Sequence, residues 1–464
     1  MATGVPAATV QPLGPARCRI EYLPEYVHGE ASPWPVALGM PIDVEPDRFI
    51  DGPMGPEADR RPPAFLYDLV PQGKGRQHLL EQLRLADGEG LVLPLAMAGA
   101  IAPIGCLRLQ SAMEFFEGQA RSSGAPRGFD RAEVRGRVES VLEHLASREM
   151  LAAGTTGVQG VAPKFLLSTD QDGRWFPDLA LPDERAREHW LVKLPRGSAE
   201  PDRAVLRNEA AYLRLAAACG LRTLSAPELH GDALFVRRFD RQVIDGQVHR
   251  LHQESLASIC GLRGFGIPVS QQTLLAGLRA AVADPLQETI EFMKRDVLNL
   301  AMRNADNHAR NTAVQRLLDG TIQLTPVFDF APMYLDSEVV TRTCHWRSEE
   351  GKSQDDWTQI VETLEVGDDE RGIIAAALCD FACVVAGIPA IASECGIEPN
   401  VIEACRGPID RQAEQLQRLS ALVPPTSIGS DAVDESRTPI FPAAAWVGKP
   451  RGGYTPDAAR LIPN

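Results

Sequence analysis

The strongest helical pattern in the chain runs from Asp284 to Arg303, where Ile290, Met293, Val297, Leu300 and Ala301 recur at the helical period. Asp284 and Pro285 suit its N-cap and first turn. A second helix is predicted over Arg207–Cys219, with Leu206, Ala210, Leu213 and Ala217 on one face and Gly220 placed to end it. A third starts at an Asp130 N-cap and runs to about Met150 along Val134, Val138, Val141, Leu142 and Leu145. Residues 355–422 read as further helices, the last of them polar-faced over Asp410–Leu422. Strand patterns occupy Arg19–Leu23, Phe165–Ser168, Trp190–Pro195, Ala233–Arg241, Val248–His252 and Leu324–Phe328, with a hairpin-like insert at Asp170–His189. Over residues 1–45 repeated prolines break any helical period, so strands and loops are predicted there.

These elements predict an α+β fold in four stretches. Residues 1–110 form a small, mixed, β-rich amino-terminal subdomain, and 111–252 carry strands with one long helix. Residues 253–423 form a larger, mostly helical lobe, and 424–464 a Pro-, Gly- and Ser-rich irregular tail. There are no internal repeats.

Composition refines this picture little: 44% of the 464 residues are hydrophobic and 23% charged, as in ordinary soluble proteins. The formal charge of −15, without a long basic run, argues against direct nucleic-acid binding, and no helix-turn-helix is discernible. Nine scattered cysteines read as free thiols. Cys379 and Cys383 sit one helical turn apart, but no second pair faces them at zinc-site spacing. No signal peptide opens the chain. The longest apolar stretch, Leu91–Ile104, is too short and too rich in Gly and Pro to span a bilayer, so a cytoplasmic protein is expected.

The chemistry concentrates after the best helix. Asp306 and Asn311 lie five residues apart in Asn304–Asn311, and Asp329 follows eighteen residues later. An Asp, an Asn at +5 and a second Asp after an apolar segment are the parts a phosphoryl-transfer site needs: a base for the acceptor hydroxyl and two oxygen ligands for Mg²⁺. Upstream, Gly154–Gly160 could bring backbone N–H groups close to phosphate oxygens, although a plain turn looks the same and no Walker A spacing is present. Lys193 stands inside an apolar strand. It either faces water from an edge or reaches phosphate. Glu209 could pair with Lys193 or favour the positive end of its helix.

In this order the pieces resemble the HipA-like serine/threonine kinases, the toxins of bacterial type II toxin–antitoxin modules. The resembling residues are Gly157-Val158-Gln159 with Lys164, His189–Pro195, Asn208-Glu209, Val236–Arg241, His252–Glu254, Asp306–Asn311 and Leu324–Asp329. They span about residue 60 to about residue 420, and Asp68–Gly73 resembles the family's amino-terminal subdomain. The resemblance implies a two-lobed protein-kinase-like fold: 1–110 as the HipA-type subdomain, 111–252 as the N-lobe with Gly-rich loop and ATP lysine, and 253–423 as the helical C-lobe. It implies ATP held by Gly157, Val158, Gln159, Lys164, Lys193 and the backbone around Arg237–Phe239, with Asp306 as catalytic base and Asn311 and Asp329 on Mg²⁺. His308 is expected to be structural and Asn307 a spacer. It further implies a translation-related protein substrate, such as an aminoacyl-tRNA synthetase, and a helix-turn-helix antitoxin as partner.

The sequence departs from the family pattern twice. Gly154 stands where several members carry a regulatory serine, so loop self-phosphorylation is either lost or moved to Thr155 or Thr156, where a phosphate would repel those of ATP. Arg237 stands where the family is often acidic. Two other functions compete with a protein kinase: a silent nucleotide-binding partner of a DNA-binding antitoxin, and a kinase of a small molecule.

Overall fold

The computed structural model describes residues 5–14, 16–29, 33–42, 61–88, 90–120, 128–136, 164–336 and 340–423. Gly157, Val158, Gln159, Thr155, Thr156, the tail beyond 423 and the end of the helix after Asp130 lie outside the described residues.

A five-stranded antiparallel sheet forms the upper wall of the cleft. Its spatial order is Trp175–Pro177, Lys164–Thr169, Glu188–Lys193, Ala233–Arg237 and Glu228–His230. The register sets Lys164 opposite Lys193 and Lys193 opposite Leu234. Side chains alternate across a strand. Phe165, Leu167, Trp190, Val192 and Phe235 therefore pack with Trp175 on one face. Lys164, Leu191 and Lys193 are left on the other, facing the cavity. The helix Glu200–Ala218 crosses this sheet, with Leu206 and Ala210 against Leu234. It begins seven residues earlier than its periodicity suggested, so Glu209 stands in mid-helix. The reading of Glu209 as a first-turn dipole partner is thereby excluded.

The helical lobe is built on Pro285–Ala301, packed against Asp368–Ala386 and Pro399–Arg418 around Met293, Val297, Leu378, Ile409 and Leu416. Asp284 caps the first of these, accepting from the Gln287 N–H at 3.1 Å. Arg303, just past its end, takes the left-handed conformation (φ 56°) that glycine usually supplies there, and its guanidinium lies 4.0 Å from the Tyr334 ring centre. Pro408, inside the third helix, has no N–H to give the Ala404 carbonyl; Arg303 Nη1 lies 3.5 Å from that oxygen.

The start of the chain confirms strands Ala8–Gly14 and Arg17–Tyr22, paired antiparallel. From Ala64 on the subdomain is helical: Ala64–Asp68, Gly73–Leu83 and Val92–Gly99. "β-rich" therefore holds for its opening strands only. The glycines and prolines at 91–109 bound a short buried helix, because Leu93, Leu95 and Ala96 find a core of their own. At Asp130 the cap is reciprocal: Asp130 Oδ1 accepts from the Glu133 N–H (2.7 Å) and Glu133 from the Asp130 N–H (2.9 Å). Among the described residues no single helix is long and apolar enough to cross a membrane, and all nine cysteines are unpaired.

Candidate active site

Between the sheet and the helical lobe lies a cavity of about 230 Å³, bordered by Lys164, Leu191, Lys193, Glu209, Val236, Phe239, Asn311 and Asp329. Asp306 and His308 line its mouth with Asn311, Asp329 and both lysines. The described members of the predicted constellation, separated by more than a hundred residues of sequence, thus share one cleft.

Lys193 is the centre of the upper wall. Its Nζ donates to Glu209 Oε1 at 2.5 Å and to Asp329 Oδ1, and Lys164 Nζ stands 3.6 Å from Asp329 Oδ2. The Lys193 and Glu209 side chains are 5% and 7% exposed, so these charges survive burial only through one another. Burial opposes the charge on Lys193, but Asp329 and Glu209 outweigh it and raise its pKa. Burial also opposes ionisation of Asp329, yet Lys164 and Lys193 hold it far below the usual carboxylate range. Lys164 shifts down, mainly from burial and then from the neighbouring Lys193 charge, against the pull of Asp329. Glu209 shifts up because burial and the Asp329 charge outweigh Lys193.

Asp329 was expected at the end of a strand from Leu324. The strand is Ile322–Leu324 and stops before Pro326; Val327 is then fixed by donating its N–H to the Arg222 carbonyl at 2.8 Å. Asp329 takes a left-handed backbone (φ 50°). Phe330 beyond it is buried against Tyr212, ring centres 5.0 Å apart, so the helix bearing Glu209 also braces the turn bearing Asp329.

The lower wall is the loop Asn304–Asn311. Asn304 Nδ2 reaches Asn299 Oδ1 at 2.9 Å and the Asp329 carbonyl at 3.5 Å, joining the two carboxylate segments. Asn311 Nδ2 donates to the Asp306 carbonyl at 2.6 Å, which leaves Asn311 Oδ1 as the atom free to ligate. The Asp306 side chain is 35% exposed, and His308 Nε2 lies 3.6 Å from it. Asn307 is more than a spacer. Its carboxamide sits 3.2 Å from both Arg342 and Gln271, whose other contact is Asp296. Buried Asp296 also accepts from Trp346 Nε1 at 2.9 Å. No sequence pattern pointed to this anchor, because its members come from four separated segments.

At the edge strand, Arg237 pairs with Glu188 and its guanidinium lies 5.1 Å from the Trp190 ring centre, on the sheet face away from the lysines. Only its backbone can therefore serve the cavity. Phe239 closes one end with Phe328 (ring centres 6.0 Å apart), and its carbonyl accepts from Gln315 Nε2 at 2.9 Å.

Among the described residues no group of three or more His, Cys, Asp or Glu could hold a metal by itself. An ionised carboxylate and a carboxamide oxygen at one cleft do suit Mg²⁺, which takes one or two protein oxygens beside substrate phosphate.

A strand lysine paired with a helix glutamate above an Asp/Asn loop, in a two-lobed α+β frame, defines a kinase-like fold. Residues 156–384 match the HipA-like C-terminal domain family, and over that span the chain belongs to it. It is 28% identical over 199 residues to "Putative kinase Y4mE" of Sinorhizobium fredii, covering 40% of this chain and 43% of that protein. It is 25% identical over 307 residues to the serine/threonine-protein kinase toxin HipA of Shewanella oneidensis, covering 59% and 64%. Each of these relatives is thus matched over less than two thirds of its own length. In fold, the chain is similar to the solved Shewanella oneidensis MR-1 complex of HipA, HipB and operator DNA. The TM-score is 0.60 over 91% of this chain and 96% of that one, at 17% identity.

Proposed function

We propose that the chain is an ATP- and Mg²⁺-dependent serine/threonine protein kinase. The observation that carries this reading is Lys193 held between Glu209 and Asp329 in the cleft that also receives Asp306 and Asn311. On this reading Lys193 exchanges Asp329 for phosphate oxygens of ATP while Glu209 keeps the ammonium in place, and Lys164 adds a second positive charge. The adenine lies toward Val236–Phe239, where backbone groups border the cavity. Asn311 Oδ1 and Asp329 would hold Mg²⁺, which neutralises phosphate charge when bound. Asp306, the most open of the carboxylates, takes the proton of the acceptor hydroxyl as its oxygen bonds to the γ-phosphorus and ADP leaves. An exposed base facing outward from a closed phosphate site fits an acceptor as large as a protein side chain.

The names of the relatives support the wider setting: a growth-inhibiting toxin acting on a translation-related protein such as an aminoacyl-tRNA synthetase. It would be cytoplasmic and restrained by a DNA-binding antitoxin. Transfer of labelled phosphate from ATP to lysate proteins tests the core of this reading. Transfer lost in Asp306→Asn supports it. No transfer to any acceptor, by protein that binds ATP, contradicts it.

A further inference from the structure

The chemistry above takes nothing from the amino-terminal subdomain, yet that subdomain reaches the Asp306–Asn311 loop. Its helix Ala64–Asp68, rooted by the fully buried Leu66, ends with the Asp68 carboxylate turned toward the helical lobe. Arg310, the neighbour of Asn311 in the loop, points its guanidinium back at Asp68 and is 3% exposed. Arg310 Nη1 is ion-paired with Asp68 Oδ1, and its Nε and Nη2 donate to the Gly264 carbonyl at 3.3 and 3.0 Å. Asp68 also accepts from the Ser255 N–H (3.0 Å) and hydroxyl (2.8 Å). The Ala257 N–H that follows donates to the Ala309 carbonyl at 3.1 Å. Among the described residues Asp68 is the one carboxylate paired with Arg310.

A buried guanidinium stays charged when its carboxylate is removed, so it must move toward water or remain unpaired. Arg310 is bonded covalently to Asn311, so the loop moves with it. The same subdomain also grips the opposite wall: the Gly105 N–H donates to Asp240 Oδ2 at 2.7 Å, and Arg241 Nη1 donates to the Gly105 carbonyl at 2.8 Å.

We propose that Asp68 is a positioning residue. Through Arg310 it fixes the loop that carries Asp306 and Asn311, which makes the amino-terminal subdomain part of the catalytic assembly. The activity consequence rests on the kinase reading; the positioning itself does not.

The test uses the full chain with Asp68→Asn, Asp68→Glu and Arg310→Gln, read by amide hydrogen exchange and by steady-state phosphoryl transfer. In Asp68→Asn, exchange in peptides covering 304–311 is expected to rise about tenfold, with 285–301 still protected. The kcat is expected to fall roughly 10- to 100-fold with KM for ATP within about twofold, since small misplacements of reacting groups cost that much. Asp68→Glu should recover part of both. Unchanged exchange over 304–311 in Asp68→Asn overturns the proposal, as does an equal kcat. If Asp68→Asn does not fold, Arg310→Gln carries the test, with the same loop loosened or the proposal overturned. A wild type without phosphoryl transfer contradicts the proposed function alone, and the exchange result still decides this inference.

Discussion

The two walls of the cleft hold their charges differently. On the sheet side, Lys193, Glu209, Asp329 and Lys164 are sunk in the protein and neutralise one another. On the loop side, Asp306 is a third exposed, with His308 3.6 Å away as its nearest ionisable partner among the described residues. Groups that must meet the same small ligand in every turnover can be set in advance, and burial makes them precise. A group that must meet a variable acceptor has to stay open. The division predicts that damage to the buried wall abolishes ligand binding, whereas damage to the open wall abolishes transfer and spares binding.

The largest effect is expected from Lys193→Met. Asp329 and Glu209 would then face each other without a cation, and phosphoryl transfer should fall roughly 10²–10³-fold with ATP affinity lost as well. Titration with a fluorescent ATP analogue, beside a radiolabel assay, measures both; retained affinity would break the comparison.

Glu209→Gln should cost less. It leaves Lys193 paired with Asp329 and removes one charge-assisted hydrogen bond, worth about 1.5–3 kcal/mol, so about a tenfold or greater loss is expected, mostly in KM for ATP.

The pH dependence sharpens the same point. The Lys193 pKa is raised, so its contribution to stability is complete below the unfolded value near 10.4 and fades only as pH rises through the higher folded value. The Asp329 pKa is depressed, so its contribution is complete above the unfolded value near 3.9 and fades only as pH falls through the lower folded value. The Lys193–Asp329 pair should therefore add a constant increment from about pH 5 to pH 9. Denaturant unfolding of wild type against Lys193→Met across that range checks this, and a sloping difference would contradict it.

The smallest effect is expected at Arg303→Gly, beyond both walls. Relief of the left-handed backbone and loss of the Tyr334 ring contact nearly cancel, so stability should change by no more than about 0.5 kcal/mol.

What could be read in advance follows the same division. Lys193 and Glu209 lie on elements whose periods are plain, and Asp306, Asn311 and Asp329 stand at telling intervals. Local pattern therefore brought out both walls and the α+β frame. The partner of Glu209 stayed open because periodicity placed its helix start seven residues late. Asp329 was assigned to a strand because apolar spacing carries no sign of a left-handed turn. The supports were illegible for a different reason. Asp68 and Arg310 are 242 positions apart, and Asn307 reads as filler until Arg342 and Gln271 are seen around it. Such contacts are tertiary, and neither partner alone has an unusual neighbourhood in the chain.

The most direct test is Asp306→Asn, with ATP affinity and phosphoryl transfer measured on the same preparation. The Asn311 carboxamide bonds the Asp306 backbone carbonyl, so the substitution leaves that contact in place. The account predicts ATP affinity within about twofold of wild type and transfer lower by roughly 10²–10⁴-fold. Transfer at the wild-type rate would contradict it, because the open carboxylate would then have no part in the chemistry.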